Sequence, residues 1–166
     1  MKLAGARRLV KSRFFPSKFS VSGEFKFYAF IGLGGNIGDT KRRFSRFIRT
    51  LRNDRRFGVC ECSQILENAA FGYVNQPDFS NAVIGVRTSL AANALLKILQ
   101  RYELKFKRER SFKNAPRTLD IDILYFSGRS RNDARLRLPH PGAQSRASVI
   151  LPLGTMRRVS KSGVQF

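Results

Sequence analysis

Residues 27–33, FYAFIGL, form an unbroken apolar run of strand length, and GGNIGD at 34–39 ends it. The period then changes. Phe44, Phe47, Ile48 and Leu51 recur at helical spacing, while Arg42, Arg43, Arg46, Arg49 and Arg52 lie mostly off that stripe. This predicts a helix from a cap at Asp39 or Thr40 to about residue 54. Residues 57–66, with Val59, Ile65 and Leu66 apolar, read as one strand, and FSNAVIGVR at 79–87 as another. Ser89 is the predicted cap of a second helix reaching about Lys105, with Leu95, Leu99, Tyr102 and Phe106 as its core stripe. TLDIDILYF at 118–126 is the last strand, and the remainder is expected to be irregular, with LPHPG a proline-fixed turn.

Strand, helix, strand, strand, helix, strand is the order of an α+β domain of ferredoxin-like type, an antiparallel sheet with helices packed on one face. Residues 27–166 are read as that domain. Residues 1–26 are basic and acid-poor until Glu24. That composition suits an organellar transit peptide, or a basic arm tacked to the domain by Phe14, Phe15 and Phe19.

A chain of 166 residues with fifteen Phe can bury one core. No run of eighteen apolar residues occurs, so a membrane-spanning helix is not expected. The net charge of +21, from 32 Lys and Arg against 11 Asp and Glu, draws polyanions. Nucleic acid, nucleotide phosphates or plain solubility all accommodate it. Cys60 and Cys62, two apart, are expected to share one strand face as packed thiols in a reducing compartment. With one His in the chain, zinc is not expected.

Within the last strand, Asp120 and Asp122 are two residues apart and point the same way, while Leu119, Ile121 and Ile123 turn to the core. Two adjacent carboxylates repel, and one stays protonated unless cations intervene. Hard divalent cations such as Mg²⁺ prefer oxygen ligands, and two of them could bridge the pair and clamp a polyphosphate. A solvent-facing acidic pair answered by arginines is the other reading. Arg108, Arg110, Lys113 and Arg117 lie upstream, and His140 and Arg146 follow; guanidinium groups match phosphate oxygens two at a time. GLGGNIGD is neither a P-loop, lacking a following Gly-Lys-Ser/Thr, nor a dinucleotide fingerprint. It reads as a tight strand-to-helix turn.

GGNIGD, NQPDFSNAV, APRTLDIDIL, LPHP and the segment from Arg146 to Leu153 occur in that order. Together they resemble the 6-hydroxymethyl-7,8-dihydropterin pyrophosphokinases of folate biosynthesis, from about Phe27 to Leu153. The resemblance implies a ferredoxin-like fold and transfer of the β,γ-diphosphate of ATP to the pterin hydroxymethyl group, with release of AMP. It implies that Asp120 and Asp122 hold two Mg²⁺. Gln100, Glu103, Arg108, Arg110, Lys113, Arg117, Ile123, His140 and Arg146 would form the ATP site, with Arg108 and Arg117 also assisting transfer. Asn68, Ala69, Phe71, Phe79 and Asn81 would build the pterin pocket. Where the family has Arg-Trp-Gly before Pro-Arg, this chain has Lys113-Asn114-Ala115; Phe112 is the candidate replacement for the tryptophan. Ser148 stands where the family has an aromatic residue.

The loops at 67–77 and 107–116 are the expected lids, closing only after ATP binds. The expected partners are the two small substrates, with no membrane and no nucleic acid, and the expected state is a cytoplasmic monomer. Two other readings remain at this point: a basic RNA-binding module on the same sheet, and an inactive relative.

Overall fold

The computed structural model describes residues 5–70, 75–109, 115–127 and 129–157. The elements run β1 (Ala6–Val10), β2 (Ser17–Lys18), β3 (Phe27–Gly35), α1 (Thr40–Arg52), β4 (Phe57–Cys62), β5 (Ile65–Asn68), β6 (Phe79–Thr88), α2 (Ala92–Lys105), β7 (Asp120–Phe126), β8 (Arg131–Asn132), β9 (Arg137–Leu138) and α3 (Ala147–Gly154).

Strands β7, β3, β6 and β4 lie side by side in that order, every pairing antiparallel. With α1 joining β3 to β4 and α2 joining β6 to β7, this is the expected ferredoxin-like architecture. Long β6 is shared along one edge. Ile84–Thr88 pair with β4, and Phe79–Asn81 pair with β5. The predicted single strand at 57–66 is therefore two strands. Ser63 makes the corner: its N–H donates to the Val83 carbonyl at 2.9 Å and its hydroxyl accepts from Val83 N–H at 2.8 Å.

The main core lies between the sheet and helices α1 and α2. Phe44, Phe47, Ile48 and Leu51 of α1 and Leu95 and Leu99 of α2 are fully buried there, against Ile31, Ile84, Leu119, Ile121 and Ile123. Tyr102 and Phe106 pack at its margin. Both helical stripes thus lie where their periodicity puts them. Asp39 caps α1 by accepting from Arg42 N–H at 2.9 Å. Ser89 does not cap α2. The helix starts after Ala91 with no side-chain cap, and Ser89 N–H instead donates to the Arg56 carbonyl.

Two further expectations are corrected. The helices do not all occupy one face: α3, in the stretch expected to be irregular, packs on the opposite face with Phe30, Val83, Leu124, Ala143, Val149 and Met156. Pro152 inside α3 hides it from a helix reading. Cys60 and Cys62 do not share a face, because β4 carries an irregularity between Val59 and Glu61. An extra residue there resets the alternation, so Val59 and Cys62 are the pair that share the main core. Both thiols are buried, as expected. The arm is structured, and its phenylalanines tack it to the domain. β1 pairs with β5 and β2 with β4, both antiparallel. Phe15 is fully buried with its ring centroid 5.9 Å from that of Phe44, and Phe14 and Phe19 pack on the same core. No helix among the described residues is long and apolar enough to cross a membrane.

Candidate active site

The face of the sheet that carries α3 opens into a cleft of about 770 Å³. Its floor consists of two rows running across three strands. Asn81, Gly34 and Asp120 stand side by side on β6, β3 and β7, and Val83, Gly32 and Asp122 form the next row. Residues directly opposite one another share a face, and the glycine at the centre of each row lets a neighbouring side chain lie close over it: a Cβ on Gly32 would come within 3.3 Å of the Leu124 side chain. A Cβ on Gly34 would come within 3.1 Å of Asn81 Oδ1.

Asp120 and Asp122 therefore do stand on one face, both lining the cleft. The regular alternation of β7 over Asp120–Ile123 achieves this; an irregularity follows at Leu124, between the residues paired with Ile31 and Phe30. Asp120 is gripped by two guanidinium groups. Arg108 Nη1 lies 2.6 Å from one carboxylate oxygen and Arg117 Nη1 2.7 Å from the other. Arg108 also pairs with Glu103, which is 3% exposed and accepts from Ile121 N–H at 2.8 Å. Burial pushes the Glu103 carboxyl up to about 7, against the pull of the Ile121 N–H and Arg108. Burial, and then the charge of Asp120, raise the Asp122 carboxyl; His140, Arg108 and Arg146 act in the opposite direction.

This donor set fits a divalent cation. A raised carboxyl beside a second carboxylate is the electrostatic situation that a hard cation relieves. Among the described residues no group of three or more His, Cys, Asp or Glu is placed to hold a metal ion by itself. Two protein carboxylates plus phosphate oxygens and water is the coordination that Mg²⁺ commonly accepts.

The cleft walls come from distant segments. Asn68 ends β5 and Ala69 and Ala70 follow it, Phe79 opens β6, and Arg117, His140 and Arg146 complete the lining with Ser145, Ala147 and Ser148. His140 Nδ1 accepts from Gly142 N–H at 3.0 Å, so the neutral ring carries its proton on Nε2. A side chain on Gly142 would collide with that of Arg146, whose N–H donates to the Gly142 carbonyl at 3.0 Å. Asn68 Oδ1 accepts from Asn81 Nδ2 at 2.6 Å, joining two residues expected in one pocket. The Arg117 guanidinium sits 5.5 Å from the Phe79 ring centroid.

A paired-carboxylate floor ringed by arginines, on a ferredoxin-like sheet, now stands beside a sequence match. The profile of the 7,8-dihydro-6-hydroxymethylpterin-pyrophosphokinase family matches residues 30–158. The chain belongs to that family. It is 51% identical, over 93% of its length and 98% of the relative, to 2-amino-4-hydroxy-6-hydroxymethyldihydropteridine pyrophosphokinase of Campylobacter jejuni. The enzymes of the same name from Helicobacter pylori and Bacillus subtilis are 36% and 34% identical, over 95% and 75% of this chain and 98% and 75% of theirs.

Of the residues expected in this pyrophosphokinase site, nine line the cleft: Asn68, Ala69, Phe79, Asn81, Arg117, Asp120, Asp122, His140 and Arg146. Glu103 and Arg108 stand behind Asp120 rather than in the lining. Gln100 is exposed on α2, whereas Glu103, three residues further on, is buried. The Ile123 side chain is buried in the main core. Phe71, Arg110, Phe112 and Lys113 lie outside the described residues, as do parts of both expected lids. Sequence reasoning missed Gly5, which reaches the cleft from the arm, and Ala70. It also missed Asn36, whose place in GGNIGD was the available signal.

Proposed function

We propose that the chain transfers the β,γ-diphosphate of ATP to the hydroxymethyl group of 6-hydroxymethyl-7,8-dihydropterin, releasing AMP, as a pyrophosphokinase of folate biosynthesis. The observation that carries this reading is the pair Asp120 and Asp122 on the floor of a cleft whose walls hold Arg117, His140 and Arg146. That combination suits a metal-bound polyphosphate and has no role in an RNA-recognition sheet.

In this reading Asp120 and Asp122 hold two Mg²⁺, which supply Lewis-acid neutralisation of the transferring phosphoryl oxygens. Arg117, His140 and Arg146 bind the phosphates or adenosine, joined by Arg108 as it leaves Asp120, and Arg110 and Lys113 belong to the same set. Gln100 and the Ile123 main chain complete the nucleotide side. Glu103 acts as the brace that orients Arg108. The pterin lies toward Asn68, Ala69, Phe71, Phe79 and Asn81. An Asn amide donates and accepts at once, which suits a pterin edge, and the Phe79 ring offers a stacking face.

Catalysis then rests on alignment and charge. The floor and walls hold the hydroxymethyl oxygen in line with the β-phosphorus, and Arg108 and Arg117 stabilise charge on the moving group. We take the enzyme to act as a cytoplasmic monomer; the buried thiols of Cys60 and Cys62 suit a reducing compartment.

The test is to incubate the protein with Mg-ATP and the hydroxymethyl pterin and resolve the nucleotide products. AMP appearing in step with pterin diphosphate is expected. ADP, or no pterin-dependent turnover, would overturn the reading.

A further inference from the structure

The N-terminal strand touches the cleft at the end assigned above to the pterin. Gly5 lines the cleft, and its carbonyl accepts from Ala69 N–H at 2.8 Å. Ala6 pairs with Asn68, Arg8 with Glu67, Leu9 with Leu66 and Val10 with Ile65. The segment joining β5 to β6 is gripped at its far end as well. Arg7 Nε lies 2.8 Å from Asp78, the residue before Phe79. Glu67 is held from both sides, by Arg8 at 2.6 Å and by Lys41 of α1 at 2.7 Å. The strand itself is bolted down behind this contact: Phe15 is fully buried beside Phe44, and Phe19 N–H donates to the Cys60 carbonyl at 2.9 Å.

β5 is four residues long and pairs with β6 at three positions only. Its other edge is satisfied by β1. An edge strand this short is weakly specified without a second partner. The stretch outside the matched family profile, which begins at residue 30, therefore holds a wall of the site inside it.

We propose that β1 is a positioning element for the pterin: it fixes Asn68 and Ala69 at one end of the connecting segment and Asp78–Phe79 at the other, and so sets pterin affinity without affecting ATP. The proposal rests on the placement of the pterin in the reading above. The main-chain pairing carries most of the effect, because the Arg7–Asp78 pair is exposed and worth little alone.

The experiment compares the full chain with a deletion of residues 1–9, which keeps the Phe15 anchor and β2, and with Gly5→Pro. Gly5 has φ +81°, which proline, fixed near −65°, cannot adopt. The substitution thus removes one carbonyl from Ala69 and leaves Leu9 and Val10 paired. Pterin binding is read by fluorescence titration, KM for each substrate by AMP release, and folding by thermal melting. Gly5→Pro is expected to raise the pterin Kd and KM about fivefold and the deletion to raise them further, with KM for ATP within about twofold. Unchanged pterin constants, or parallel rises in both KM values, would overturn the proposal. A full chain that binds the pterin yet releases no AMP would overturn the activity assigned above, while the pterin Kd of the variants still decides the role of β1.

Discussion

Arg108 Nη1 lies 2.6 Å from Asp120 Oδ1, while Arg117 takes the other oxygen of the same carboxylate. The acidic group proposed to hold a cation is thus paired with two arginines, and in the proposed function both exchange it for phosphate when nucleotide binds.

Replacing either floor carboxylate separates the metal role from the structural one. Asp120→Asn and Asp122→Asn are expected to lower kcat by about 10²-fold or more. The fold should be retained, because both side chains line the cleft rather than the core. AMP release and circular dichroism measure the two effects. Activity within a few-fold of the parent would sink the assignment. Chelation with EDTA should abolish turnover, and added Mg²⁺ should restore it.

Arg117 lies over the Phe79 ring and pairs with Asp120 at the same time. Arg117→Ala is expected to lower kcat by about 10²–10³-fold. Arg117→Lys should recover little, since an ammonium cannot reproduce the planar two-point contact or the stacking. Single-turnover kinetics with saturating substrates is the measurement. Full recovery by lysine would reduce the role to simple charge.

Asn36 is buried and ties three segments. Its Oδ1 accepts from Arg117 N–H at 2.9 Å, and its Nδ2 donates to Gln76 Oε1 at 2.8 Å and to the Pro77 carbonyl at 3.0 Å. Asn36→Ala strands these partners, which costs about 1–3 kcal/mol. Urea denaturation should show the loss, and kcat should fall with it because the Arg117 backbone loses a restraint. Unchanged stability would mean that water replaces the amide.

Two carboxylates pull stability in opposite directions with pH. Glu103 is raised from its ordinary 4.5 to about 7, so between those values the folded chain holds a proton that the unfolded chain has lost. Stability therefore falls as pH rises from about 5 to 7.5, by about 1–3 kcal/mol. Asp54 is lowered from 3.8 to about 2, first by hydrogen bonds from Arg56; its contribution is present above pH 4 and is lost as pH falls toward 2. Denaturation midpoints at pH 5 and 8 check the first, since Glu103→Gln should flatten the dependence. A variant that keeps the full slope would put its origin elsewhere.

Much of this site was legible from periodicity and residue chemistry. Alternation at two residues placed Asp120 and Asp122 together and sent Ile121 and Ile123 to the helix side. Helical spacing identified the buried stripes of α1 and α2. These are local consequences of backbone geometry, and they survive any tertiary arrangement that buries one face. The missed features are of another kind. The extra residue in β4 separated Cys60 from Cys62, and α3 formed despite Pro152.

The chain's own order of polar and apolar positions was enough to establish strands β3, β6 and β7, helices α1 and α2, the acidic pair and its side of the sheet. It could not establish that Arg108 would bridge Glu103 and Asp120, that Asn36 would join Gln76 to Arg117, or that residues 6–10 would close the edge beside Asn68. Apart from the Glu103–Arg108 pair, those contacts join residues distant along the chain. Local periodicity records only whether a position is buried; which partner meets it depends on which open edges and charges the folded sheet brings together.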